Sequence, residues 1–154
     1  MRKTLVVVLS LLVSLSATDL PAKKTLNLAA IKTMVAAAEA EARKQNIEVT
    51  ICVVDEHGTV IFLQKGDAAS LVTIEFAEKK ARYAALYGNP SKDGADQVKN
   101  GNVGPLAFPE FFPAQGGLPI KVDGQTIGGI AASGAKSEID EAIVQAGVDA
   151  LFKK

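Results

Sequence analysis

The sequence predicts one α+β domain in which helices cover both faces of a central antiparallel sheet, a three-layer α/β/α arrangement. Three observations carry this. Apolar residues recur at steps of three and four in three separate stretches, and between these lie two pairs of strand-like runs joined by short turns containing glycine. The first such run is apolar on both faces, so it requires cover on both. A chain of 154 residues with 48% hydrophobic residues is long enough for one core, too short for two, and too apolar for disorder.

The amino terminus reads as a removable segment. Arg2 and Lys3 precede the apolar run Leu5 to Leu15, which the small residues Ser16 and Ala17 follow. The run falls well short of the roughly 20 residues that a spanning helix needs, and Thr18, Asp19 and Pro21 end it. Residues 1–16 are therefore expected to be a secretory signal peptide cleaved after Ser16, which predicts a secreted or periplasmic protein with no membrane insertion after cleavage.

The first helix follows from Leu28, Ile31, Val35, Ala38 and Ala42, one stripe with Asn27 placed to cap it. Asn46 marks its exit, and the period then changes to two. Val49, Ile51 and Val53 point one way and Thr50, Cys52 and Val54 the other. Asp55-Glu56-His57-Gly58 reads as a turn, returning through Thr59 to Leu63. Ser70 is placed to cap a second helix ending at Tyr87 before Gly88-Asn89-Pro90. Its small residues Ala77, Ala81 and Ala84 suit close approach to the sheet, while Phe76, Tyr83 and Tyr87 gather on a neighbouring face.

Residues 91–104 read as a short irregular helix and loop. Pro105 to Pro119 carries Phe108, Phe111 and Phe112 among four prolines, so it is apolar yet excluded from regular helix and central strand. Leu118 to Val122 and Gln125 to Ser133 form a second hairpin around Asp123-Gly124, a pair suited to a type I′ turn. Gly128-Gly129 in its second arm predicts a bulge or a close backbone approach. Ser137 opens the last helix, with Asp140 three residues on completing an approximate capping box, while Ile139, Ile143, Ala146 and Ala150 form the expected buried stripe.

Composition narrows function. Lys plus Arg and Asp plus Glu both total 17, so no basic excess exists to neutralise a nucleic-acid backbone. One cysteine and one histidine exclude an internal disulfide and a His/Cys zinc site within one subunit. His57 is the chain's single imidazole and so its candidate metal ligand, although a solvated turn residue is the simpler reading. Asp55 at the start of a turn is expected to bond its own backbone. Tyr83, Tyr87, Phe108, Phe111 and Phe112 offer either an aromatic-lined site or ordinary packing. Gly116-Gly117 beside them exposes main-chain amides, and with Pro119 this suits a flat hydrophobic ligand held mainly by surface burial.

Several stretches together resemble a known family. They are Val53-Val54-Asp55-Glu56-His57-Gly58, the helix bearing Ala77, Lys80 and Ala81, then Gly116-Gly117-Leu118-Pro119-Ile120 with Gly128, Ser133-Gly134 and Asp140. Their order and spacing over residues 26–152 resemble the GlcG/HbpS family of haem-binding proteins, related to the carboxy-terminal domain of PduO-type corrinoid adenosyltransferases. The chain departs from the family pattern at Gln64-Lys65-Gly66-Asp67, at Ala135 and at His57, which stands where glycine is usual.

The resemblance implies a profilin-like fold with a five-stranded sheet, homo-oligomeric assembly, and binding of haem or a related tetrapyrrole. The expected function is an exported oligomeric protein sequestering or buffering haem, a binding protein rather than an enzyme. Its cofactor-binding residues would be Tyr83, Tyr87, Phe108, Phe111, Phe112, Gly116, Gly117 and Pro119, with His57 at the metal. The rival expectations are an enzyme or accessory protein acting on a small organic acid such as glycolate, using Asp55, Asp67 or Lys80, and a protein-interaction module in envelope signalling.

Overall fold

The computed structural model describes residues 22–153; the expected signal peptide lies outside the described residues. The elements run α1 (Leu28–Lys44), β1 (Thr50–Asp55), β2 (Val60–Lys65), α2 (Val72–Tyr87), α3 (Ser91–Lys99), a 3₁₀ turn (Gly104–Ala107), β3 (Gly117–Val122), β4 (Gln125–Ser133) and α4 (Ser137–Phe152). The sheet has the order β2-β1-β4-β3, with every neighbouring pair antiparallel. No helix among the described residues is long and apolar enough to cross a membrane.

The described residues form four strands, not five. Between α3 and β3, Pro105, Pro109 and Pro113 remove ladder donors, and the neighbouring backbone groups bond locally instead.

Alternation along β1 builds the three layers. Ile51 and Val53 join a core with Met34 and Ala38 of α1 and Ile143 and Val144 of α4, while Cys52 and Val54 face Ala77, Ala81 and Ala85 of α2. The second core is made of small residues because α2 lies very close to the sheet. A Cβ on Gly129 would collide with the Ala81 carbonyl, and one on Gly117 with that of Lys80. The expected glycine bulge is also present, since Ile120 pairs with Gly128 and Lys121 with Thr126, leaving Ile127 as the extra residue.

Local signals hold at several element ends. Asn27 Oδ1 accepts from Ala30 N at 2.8 Å, Gly88 ends α2 in a left-handed conformation, and Asp123 and Gly124 both have positive φ (51° and 78°), as a type I′ turn requires. Three expectations need correcting. Ser70 does not cap α2 through its side chain; its carbonyl accepts from the Thr73 hydroxyl. Leu28 is exposed, and Met34 takes its place in the stripe of α1. In α4 the buried stripe is Asp140, Ile143, Val144 and Gly147, with Ile139, Ala146 and Ala150 only half-buried. The stripe turns because Asp140, read from sequence as a capping residue, faces inward onto a buried cation.

Candidate functional site

The outer face of α2 and the segment leading into β3 form one aromatic assembly. Tyr83 and Tyr87 stand one helical turn apart with their rings stacked at 4.5 Å. Phe111 meets both edge-on, at 5.5 and 6.1 Å. Phe112 lies 5.6 Å from Phe76, and the Lys79 ammonium sits 5.6 Å above the Phe112 ring. Tyr83 and Phe111 are buried, Phe112 is half-buried, and Tyr87 and Phe108 are exposed at 42% and 62%. Leu86, Val103 and Leu106 add further exposed apolar surface on the same two segments.

The structure therefore divides the residues singled out in the sequence. It brings Tyr83, Tyr87, Phe111 and Phe112 together on α2 and presents Tyr87 and Phe108 to solvent. It turns Gly116 and Gly117 inward. Gly117 N donates to Ser91 Oγ at 2.8 Å, and the Gly116 carbonyl accepts from Ala132 N, so these main-chain groups serve the fold. The backbone approached at Gly117 is that of Lys80. Pro119 is half-buried in β3, an edge strand, where its missing N–H costs no ladder bond.

His57 occupies the β1–β2 turn with its side chain 75% exposed, 3.6 Å from Glu56. Asp55 Oδ1 accepts from His57 N and Thr59 N at 2.9 and 2.8 Å, so this carboxylate holds its own turn. The turn is joined to α2 by Arg82, whose Nη1 donates to the Gly58 carbonyl at 2.7 Å. The same guanidinium donates twice to Glu110, from Nε and Nη2, both at 2.9 Å. One arginine thus ties the histidine-bearing turn, α2 and the Phe-rich segment. This link is invisible to residue spacing. The hydrogen bond holds the Glu110 carboxyl below the usual glutamate range and raises Arg82.

A second polar centre lies beneath the segment's end. Lys80 Nζ meets Asp140 Oδ2 at 3.0 Å and the Gln115 carbonyl at 3.2 Å, and Asp140 Oδ1 accepts from Ala135 N at 3.0 Å. Burial lowers the Lys80 pKa and raises that of Asp140, against their mutual attraction. Asp67, exposed in the β2–α2 loop, borders a cleft of about 310 Å³ with Glu39, Arg43 and Glu48. Asp55, Asp67 and Lys80 therefore stand in three different places, the last of them enclosed. A second cleft, about 340 Å³, lies between Leu26, Val122, Ile127 and Leu151, away from the aromatic assembly. Among the described residues no group of three His, Cys, Asp or Glu side chains is placed to hold a metal.

Residues 26–149 match the family model described as haem degrading protein HbpS-like. The chain belongs to the HbpS-like family. Its relatives include protein GlcG of Escherichia coli strain K12, 34% identical over 100 residues, a match covering 65% of this chain and 75% of GlcG. Among solved structures, Klebsiella pneumoniae ORFY superposes with a TM-score of 0.81 at 26% identity, covering 90% of this chain and 99% of that one. A double mutant of Streptomyces reticuli HbpS gives 0.81 at 26% identity, over 89% and 94%. A haem complex of PduOC gives 0.77 at 28% identity, over 82% and 95%. These matches agree with the mixed α and β architecture and with the family read from sequence.

Proposed function

We propose that this chain is an exported haem-binding protein that sequesters or buffers haem and works as a homo-oligomer. The observation that carries the reading is the likeness to PduOC, solved as a haem complex. The family description points the same way. Haem is a broad, flat, mainly apolar ring with two carboxylates at its rim. The exposed rings of Tyr87 on α2 and Phe108 on the segment before β3 suit its face, and Lys79, paired with Glu75 at 2.7 Å on the surface of α2, could exchange that partner for a haem carboxylate. The residues fit the porphyrin face better than the iron, since His57 is the single imidazole. Haem would supply iron redox chemistry; this chain's own residues would bury the ring and keep water from it.

Export is supported by the charged and then apolar run within residues 1–16. Assembly is supported by apolar surface that one copy leaves bare, including Val60, Ile61 and Leu63 on edge strand β2. Titrating hemin into the mature protein should give a saturable Soret change of defined stoichiometry, and a flat titration would remove the haem reading. Light scattering that shows only monomer at micromolar concentration would remove assembly.

A further inference from the structure

Residues 104–115 cross the outer face of α2 with unusually little backbone attachment. Their main-chain hydrogen bonds are all local, among them Leu106 N to the Val103 carbonyl, Phe108 N to Pro105, Phe111 N to Phe108 and Ala114 N to Phe112. Main-chain bonding to the body resumes only at Gly116, whose carbonyl accepts from Ala132 N and whose φ is 119°. Gly104 and Gly116 thus bracket a stretch held to the body by side chains and by one lysine on a carbonyl. Those attachments are the Arg82–Glu110 pair, the Phe111 and Phe112 rings, and Lys80 on the Gln115 carbonyl.

What lies beneath is prepared for an aromatic partner. Tyr83 is 2% exposed, and behind its ring stands Gly94 of α3, where a Cβ would come within 2.9 Å of the ring. The ring therefore has no room to retreat. If Phe111 withdraws, the edges of the Tyr83–Tyr87 stack are bared to whatever replaces it.

We infer that residues 104–115 form a strap that lifts from α2 to admit a flat apolar ligand, Phe111 leaving the Tyr83–Tyr87 stack and the Arg82–Glu110 pair serving as the latch. The ligand class, a tetrapyrrole, rests on the haem reading above; the strap itself rests on the hydrogen-bonding pattern. Local opening of such a weakly attached segment needs no unfolding of the sheet. The latch is partly exposed, with side chains 29% and 45% accessible, so its loss should change opening by no more than about fivefold.

Two measurements test this, one of them without hemin. Chymotrypsin should cut after Phe111, the bonds after Phe108 and Phe112 being protected by Pro109 and Pro113, and should do so about two- to fivefold faster in Arg82→Gln than in the wild type. Equal rates would overturn the latch. In the double variant Arg82→Cys, Glu110→Cys, a short bis-maleimide should join the two new thiols and leave buried Cys52 untouched. Hemin association, followed at the Soret band, should then slow at least about tenfold relative to the same variant before cross-linking, a barrier difference of roughly 1.4 kcal/mol. Equal association rates with and without the cross-link would overturn the strap and leave the haem reading intact. Absence of any Soret change in the wild type would defeat the haem reading, and the proteolysis would still decide whether the Arg82–Glu110 pair latches the segment.

Discussion

Lys80 and Asp140 form an ion pair at 3.0 Å with only 4% and 3% of their side chains accessible, joining α2 and α4 from opposite faces of the sheet. Each charge is satisfied by more than its partner: Lys80 also donates to Gln115, and Asp140 accepts from Ala135. Removing one member strands the other in the interior, a loss typically worth about 3–5 kcal/mol. Asp140→Ala should therefore lower the urea midpoint strongly with an unchanged slope. The pair Lys80→Met, Asp140→Leu, which leaves no buried charge, should recover part of that loss. A single variant as stable as the wild type would mean that the pair is solvated.

The Arg82–Glu110 pair should behave differently, because water reaches both side chains. Its hydrogen bond lowers the pKa of Glu110 in the folded chain. The folded chain thus binds that proton less readily than the unfolded one, so the contribution is complete above the ordinary glutamate range and disappears as pH falls through the folded value. After allowance for screening the contribution is at most about 1 kcal/mol. Glu110→Gln should melt slightly below the wild type at pH 7, and the gap should close under acid. A gap that persists at the lowest pH at which both chains stay folded would place the effect in packing.

Glycines separate into those required by close packing and those required by a turn. Gly129→Ala drives a methyl group into the Ala81 carbonyl, in the layer where α2 meets β4. Overpacking of that kind costs about 1–3 kcal/mol or more. Gly124→Ala meets nothing within 4 Å but keeps a φ of 78°, so its cost is backbone strain alone, about 1–2 kcal/mol. Thermal melts should rank Gly129→Ala below Gly124→Ala. The reverse order would mean that α2 shifts to accommodate the methyl group.

Cys52 is fully buried on the α2 face of β1, and burial pushes its thiol up to about 12. A thiol reagent at pH 8 should label the native protein only as fast as it unfolds. Rapid labelling would contradict the placement of β1 at the centre of the sheet.

Much of the fold was legible because local chemistry and long-range packing agree in it. Asn27 capping α1, the two-sided apolar run of β1, the Asp123-Gly124 turn and the stop at Gly88 are each fixed by a few neighbouring residues. The misreadings at Asp140, Gly116, Gly117 and Arg82 share one cause. Asp140 reads as a capping residue until Lys80, sixty positions away, supplies the reason for its burial and turns α4. Gly116 and Gly117 read as ligand-facing because spacing cannot reveal that Lys80 fills the space at both, with its ammonium at Gly116 and its backbone at Gly117. Arg82, absent from the sequence reading, had no local signal; its role appears only when Gly58 and Glu110 arrive on either side. The fifth strand was expected from resemblance, against the prolines that the chain carries.

The aromatic residues should sort by burial when both hemin affinity and melting are measured. Phe111→Ala removes a buried ring and should cost about 3–5 kcal/mol of stability, so its effect on binding is read only below its melting point. Phe108→Ala and Tyr87→Ala remove exposed rings and should leave the melting temperature nearly unchanged. Each should weaken hemin binding about tenfold or more, the consequence of losing on the order of 1–3 kcal/mol of buried apolar contact. His57 stands at the far side of Arg82 in a solvated turn, and with the porphyrin face as the main contact His57→Ala should change affinity little. Abolition of the Soret shift by His57→Ala alone would make the imidazole the iron ligand and move the site toward the β1–β2 turn. Unchanged hemin affinity in both Phe108→Ala and Tyr87→Ala would take the site off α2 altogether.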